Sequence, residues 1–303
     1  MSAPTLTTDT HTTTQASATP PTAGDRTRHK NPATVTALSR IQRGALNGGR
    51  ALWRAGAILL FLLLWELGPL YLAPSSTRVF LPPLHDVLAS LGSLIARGQL
   101  QNHLAASLTR SASGFGIAVV SAVVLGLLVA WYGALDRFLN PLLEVFRNTA
   151  ALALLPVFTL LLGIGETSKI SIVAYAAFFP VLLNTIAGVR TVDPLLIRAA
   201  RSLGLSNFTL FQKVILPSAV PTIFTGIRMA GTSSILVLIA AEMVGAKAGL
   251  GYLIVNSQSS FLIPEMYAGI LTVSLLGLAV NYLLVGVERH FSGWRTAVGV
   301  GNG

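Results

Sequence analysis

Residues 112–131, ASGFGIAVVSAVVLGLLVAW, contain no charged side chain. A run of that length matches the ~20 apolar residues needed to cross a hydrocarbon core about 30 Å thick. Similar runs recur along the chain, and the composition agrees with them. Of 303 residues, 52% are hydrophobic and 11% charged, with a mean hydropathy of +0.68. Soluble domains carry roughly 25% charged residues. In lipid, only helices or closed barrels satisfy the backbone. Barrels need alternating segments of about ten residues, whereas these runs are continuous. An all-α membrane protein follows.

Six spans are expected, near residues 52–72, 112–131, 138–162, 169–189, 219–245 and 266–288. Residues 1–36 are rich in Thr, Ala and Pro and lack apolar periodicity. Residues 1–50 therefore read as a disordered basic tail, 51–290 as the membrane domain and 291–303 as a short C-terminal tail. The first apolar core begins only near Ala55, so a cleaved signal peptide is not expected. Between the first two spans, FLPPLHDVLASLGSLIARGQL reads as an amphipathic surface helix. Pro82–Pro83 open it, and Val87, Leu88, Leu91, Leu94 and Ile95 share a face. Asp86, Arg97 and His103 argue against a further span there.

The net charge of +10 is explained by topology. With both termini in the cytoplasm, the basic N-terminal arm, Arg137, Arg190, Arg198, Arg201, Lys213, Arg289 and Arg295 lie inside. Arg78, Arg97, Arg110, Lys169 and Lys247 lie outside, and Arg147 and Arg228 fall within spans. Positive charge thus concentrates on the cytoplasmic side, and no nucleic-acid partner is needed. Without cysteine, disulfides, thiolate metal sites and cysteine catalysis are excluded. The five histidines have no ligand spacing, so no metal site is expected. No Gly-Lys dipeptide occurs, which removes a P-loop, and GIGETSK (163–169) lacks that motif's order. Neither G-x-S-x-G nor H-E-x-x-H is present. The chain reads as non-catalytic.

The segment 197–222, IRAARSLGLSNFTLFQKVILPSAVPT, is too polar to cross a bilayer and too apolar for a solvated loop. Pro194 opens a helix with Leu195, Leu196, Ala199, Ala200 and Leu203 on one face, and Gly204 closes it. Ser206 then caps a second short helix that Pro217 is expected to end. Phe208, Phe211 and Ile215 share a face of that helix. Docking into a groove on another protein, lying on the membrane surface and packing on the chain's own helices are all open on these grounds alone.

Here the chain resembles the EAA loop of ABC-importer permeases, whose pattern is E-A-A, three residues, Gly, nine residues, I-x-L-P. Ala199 and Ala200 match the alanines, Gly204 the glycine, Val214 the Ile position, and Leu216–Pro217 the L-P. Arg198 stands where the family usually carries Glu. The resemblance extends over about residues 52–295 and is most similar to the nitrate/sulfonate/taurine branch, aliphatic-sulfonate permeases above all. FLPPLHDVL (80–88), HLAASLTRSASGF (103–115), FRNTAALALLPVFTLLLGIGETSK (146–169) and AAEMVGAKAGLGYLI (240–254) carry it. Those permeases commonly read R-N-x-P in the third span, where this chain has Ala150.

The resemblance implies a six-span type I importer subunit in the inner membrane, forming a homodimer. Two ATPase subunits would bind below it, and a periplasmic or lipid-anchored binding protein above. ATP and Mg would belong to the ATPase, with no cofactor on this chain. The loop, 190–218, would be the coupling element, with Ala199, Ala200, Arg201, Gly204, Phe208, Phe211, Leu216 and Pro217 in contact with the ATPase. Nitrate, taurine, alkanesulfonate, bicarbonate and vitamin-precursor systems share this permease type.

Arg147 and Asn148 in the third span and Arg228 in the fifth have two readings. Intramembrane charge usually faces a bundle interior or cavity, which would make these an anion-attracting lining. The simpler and preferred reading is structural pairing, for instance Arg147 with Glu144, or snorkelling at an interface. Glu242, beside Gly245, Gly249 and Gly251, reads either as part of an external gate or as a helix-end carboxylate. Glu66 has the same ambiguity. A gradient-driven transporter or channel is the competing function; it would call for intramembrane carboxylates or an inverted repeat, neither of which stands out. A membrane-embedded enzyme would need chemistry that is missing.

Overall fold

The computed structural model describes residues 56–71 and 79–292. The N-terminal arm, Arg78 and the C-terminal tail lie outside the described residues. By its contacts the chain divides into Met1–Leu60 and Phe61–Gly303. Of the first unit only 56–60 are described, the exposed opening turn of helix α1, Gly56–Tyr71. The second holds the other described residues, 61–71 and 79–292.

All regular structure among the described residues is helical. After α1 come α2 (Leu84–Ala96), α3 (Gln99–Trp131), α4 (Gly133–Arg147), a 3-10 turn (Ala151–Leu154), α5 (Leu155–Leu162) and α6 (Glu166–Arg190). Then follow α7 (Pro194–Ser202), α8 (Asn207–Glu242), α9 (Leu250–Ser259) and α10 (Ile263–Ser292). Helices α3, α6, α8 and α10 are long and apolar enough to cross a bilayer. Helix α4 with residues 151–162, bent by 88° at the break, meets the same length and hydropathy as a pair and makes a fifth when the pair is taken as one span. The described part of α1 has 16 residues; residues 52–55 and 72 of that expected span fall outside.

Helix α6 is the centre of the bundle, packed between α3 and α8. Small side chains let the backbones approach, as membrane helices require in place of a hydrophobic drive. Gly114, Ala118, Ala122 and Gly126 recur every fourth residue on α3, and all are buried. A Cβ at Gly126 would lie 2.8 Å from Thr185 Cβ, and one at Gly226 on α8 would lie 2.8 Å from the Pro180 carbonyl. Bulkier residues would push the helices apart. Helix α10 packs on α8, α9 and α2, with Val87, Leu94, Leu250, Leu253 and Ala268 in one apolar cluster.

Several sequence expectations are corrected. The second span begins at Gln99 rather than 112, because Arg110 is absorbed into the helix by acids from other helices. The amphipathic helix α2 exists, but it packs on α10: Val87 and Leu94 are fully buried, while Leu88 and Ile95 remain exposed. Pro217 does not end the second short helix. That helix runs through a π-helical turn, Phe211–Ile215, directly into the fifth span. A widened turn accommodates a proline that lacks a donor. Helix α9, which had not been anticipated, is buried along Leu250, Gly251, Leu253, Ile254 and Ser257.

The third span is not continuous. It breaks at Asn148–Ala150 although Ala150 replaces the proline common at that point. Asn148 and Thr149 turn their side chains back to the carbonyls of Glu144 (2.7 Å) and Val145 (3.1 Å), offering an alternative to continuing the helix. The Phe146 carbonyl accepts from the Tyr175 hydroxyl at 2.7 Å. Pro156 lies in the first turn of α5, where its missing N–H is no loss.

Candidate functional site

Three arrangements concentrate the polar chemistry of this bundle. The first is the segment from Asp193 to Pro217. The Asp193 carboxylate accepts from Leu195 N at 2.8 Å and caps α7, with Pro194 in its first turn. At the other end Gly204 adopts φ 77°, Leu205 N donates to Ala200 O (3.3 Å) and Gly204 N to Arg201 O (2.9 Å). This Schellman stop turns the chain sharply. Ser206 Oγ then accepts from Thr209 N at 3.3 Å and starts α8. Val192, Ala200, Leu210 and Ile215 give the hairpin a small core of its own.

What this leaves outside differs from the expectation in detail. Leu195, Leu196, Leu203 and Phe208 are exposed, Phe208 by 75%. Phe211 does not join them; it is half-buried, edge-on to Trp131 with centroids 4.9 Å apart. Ala199 is exposed and Ala200 buried, while Leu216 and Pro217 are half-buried in the wall of α8. Arg198 and Arg201 are exposed and pair with no acid among the described residues. Beside Phe208 an apolar groove of about 530 Å3 runs to Val124, Leu127, Trp131 and Phe211. An exposed apolar and basic surface on a rigid turn is suited to seating in another protein.

The second arrangement is the broken corner. Arg147 and Asn148 border a cavity of about 500 Å3 between the break, α6 and α8, which Tyr175, Asn184 and Ser233 also line. Arg147 Nη2 bonds Glu144 Oε1 at 2.6 Å, with the two side chains 39% and 53% exposed. Arg228 lies elsewhere: it pairs with Glu288 on α10 at 3.2 Å and does not reach this cavity.

The third arrangement was not legible as a unit. Glu242, the last residue of α8, is fully buried and accepts from Ser107 Oγ (2.8 and 2.9 Å), Arg110 Nη1 (2.7 Å) and Gly251 N (3.0 Å). Arg110, its side chain 6% exposed, also grips Glu166 through Nε and Nη2 and donates to the Ala248 carbonyl at 2.6 Å. Lys169 Nζ, likewise buried, donates to Gly165 O at 3.1 Å. Thus Glu242 stands in a charge-balanced cluster with Arg110, Glu166 and Lys169 that joins α3, α6, α8 and the turn before α9. Arg110, expected in an external loop, lies within α3, and Lys169, expected at the outer edge of the fourth span, lies in the first turn of α6. The missed signal was Ser107 and Arg110, three apart in α3, facing the glycines that follow Glu242. A Cβ on Gly249 would collide with the Glu242 carboxylate. Among the described residues no group of His, Asp and Glu could hold a metal ion.

A bundle of apolar spans, one of them broken beside a cavity, defines a multi-span helical membrane protein. The chain belongs to the family of binding-protein-dependent transport system inner membrane components, which it matches over residues 122–293; these are ABC-transporter permease subunits. It is 37% identical over 225 residues to the putative aliphatic sulfonates transport permease protein SsuC of Escherichia coli (strain K12), covering 73% of this chain and 84% of the relative. It is 35% identical over 226 residues to the taurine transport system permease protein TauC of the same strain, 73% of this chain and 82% of the relative. With SsuC of Bacillus subtilis (strain 168) it shares 32% over 248 residues, 81% and 89% of the two chains. Among solved structures, an amino acid ABC transporter superposes with a TM-score of 0.52 at 23% identity, covering 66% of this chain and 97% of that one. The MetNI methionine ABC transporter gives 0.51 at 16% identity, with 72% and 99% covered. At those identities the structures establish the fold alone.

Proposed function

We propose that this permease carries a small anionic solute of the alkanesulfonate, taurine or nitrate class inward across the inner membrane. Two ATPase subunits bind the 190–218 loop from the cytoplasm, and a periplasmic or lipid-anchored binding protein delivers the solute from outside. Both termini are cytoplasmic, the working unit is a homodimer, and ATP with Mg is held and hydrolysed on the ATPase, so the chain itself is non-catalytic. One observation carries this reading: the capped helix–Gly204–helix turn, with Leu195, Leu203, Phe208, Arg198 and Arg201 exposed, in a chain of this family. The sulfonate and taurine relatives support the solute class. Gradient-driven transport leaves that turn without a purpose.

The test is co-purification of the tagged chain with the ATPase subunit encoded beside its gene. Wild type retains the subunit, whereas Phe208→Asp and Gly204→Pro insert normally and lose it by tenfold or more. Phe208→Asp is the cleaner surface change, since Phe211 packs against Trp131. Retention of the ATPase by both variants would remove the loop from the interface. A wild-type chain that inserts well and holds no ATPase would sink the importer reading. Uptake of radiolabelled taurine and ethanesulfonate in the assembled system then decides the solute.

A further inference from the structure

Non-helical backbone at membrane depth persists only where it is buried in protein or lines a cavity, and discontinuous spans are where transporters build solute sites. The break at Asn148–Ala150 borders the 500 Å3 cavity. Among the described residues, Arg147 is the sole charged side chain in the lining. Asn148, Thr149, Tyr175, Asn184 and Ser233 each already donate to a main-chain carbonyl. Only Arg147, with five N–H groups and a single bond to Glu144, has several donors in reserve.

We infer that Arg147 and Glu144 form an exchangeable pair: a small oxyanion entering the cavity replaces the Glu144 carboxylate on the Arg147 guanidinium. This gives the permease a weak anion site of its own, and it rests on the reading of the chain as an anion permease. The guanidinium fork accepts any planar or pyramidal oxyanion edge that a carboxylate can present. In both states the guanidinium keeps an oxyanion beside it, so the exchange leaves no unpaired cation on the cavity wall. Glu144 is more than half exposed and lies on the same helix, so it can turn away without disturbing any packing. The pair is therefore weak, as a pathway site must be if the solute is to leave it.

The sequence contains no cysteine, so Ser233→Cys places a single thiol in the lining of the full-length chain. In permeabilised membrane vesicles its modification rate is measured with 2-sulfonatoethyl methanethiosulfonate, an anion, and with the cationic 2-trimethylammonioethyl analogue. The anion-to-cation rate ratio is the readout. Arg147→Gln lowers that ratio about tenfold, as loss of a nearby unit charge in a partly screened site predicts. Arg147→Lys retains most of it, and Glu144→Gln raises it. Methanesulfonate slows modification in wild type and not in Arg147→Gln. The decisive comparison is the double variant Glu144→Gln/Arg147→Gln, which has the same net charge as wild type and falls below it. Equal ratios in those two would mean an inert ion pair and overturn the inference, as would an unchanged ratio in Arg147→Gln. A thiol at the exposed Leu160 keeps its ratio in every background. Met229→Cys, also in the lining, serves if Ser233→Cys fails to insert. The readout needs neither an ATPase partner nor transport, so its failure is separable from failure of the importer reading.

Discussion

Arg110 and Arg147 are both arginines held by carboxylates in a membrane bundle, and they are held in opposite ways. The partners of Arg110 stand 56 and 132 residues away on two other helices, and its side chain is almost sealed from solvent. The partner of Arg147 stands three residues away on the same helix, and Arg147 itself borders a cavity. The first pair closes tertiary structure; opening it would unseat α3, α6 and α8 together. The second can open with nothing unpacked. Burial and sequence separation, rather than the chemistry of the pair, divide a structural ion pair from an exchangeable one.

The largest test of this contrast is Arg110→Leu. It strands the buried Glu242 carboxylate, so about 3–5 kcal/mol of stability is lost, read as collapse of folded yield and of the thermal midpoint in detergent. Gly249→Ala comes next: φ is 125° there, and the new methyl meets the Glu242 carboxylate. Backbone strain alone costs about 1–3 kcal/mol, and the same thermal scan reports it. Gly204→Ala has the strained φ but open space around the added carbon, so only about 1 kcal/mol is lost. Arg147→Gln changes stability by less than about 1 kcal/mol. If Arg110→Leu and Arg147→Gln shift the midpoint equally, the distinction between the two pairs fails.

The smallest effect is one of pH. His85 Nδ1 contacts Glu66 Oε1 at 2.6 Å, joining α1 to the start of α2. The hydrogen bond to the Glu66 carboxylate raises the His85 pKa above 6.5, against a smaller opposing effect of desolvation. A raised folded pKa means the contact contributes fully below about pH 6.5 and is lost as pH rises through the folded value. The thermal midpoint therefore falls slightly from pH 6 to pH 9, and His85→Gln removes that difference.

How far the sequence could be read varied with the range of the interaction. Spans appear as apolar runs, and the Gly204 stop and Ser206 cap are local choices with local signals, so these were legible. The break at 148–150 was not, because the expected proline is absent and the work is done by Asn148 and Thr149 bonding back to their own helix. The continuation through Pro217 was missed for a related reason: a π turn absorbs the proline, and no residue pattern announces it. The Arg110–Glu242 cluster depends on residues brought together across the bundle, and periodicity carries no information about such partners. Arg110 looked like a loop cation because its compensating acids are remote in sequence.

The union of the second short helix with the fifth span has a mechanical meaning. Phe208 on the exposed turn and Glu242 in the sealed cluster lie near opposite ends of one 36-residue helix, about 54 Å long at 1.5 Å per residue. Such a shaft needs no chain of intermediaries to carry a thrust or a twist from one face of the membrane to the other. The π turn at Phe211–Ile215 is a loosened collar close to the exposed end, and Pro221 further along removes another bond from its ladder. A twist applied at Phe208 therefore meets both soft points before the middle of the helix, and the α-helix continues unbroken from there to Glu242.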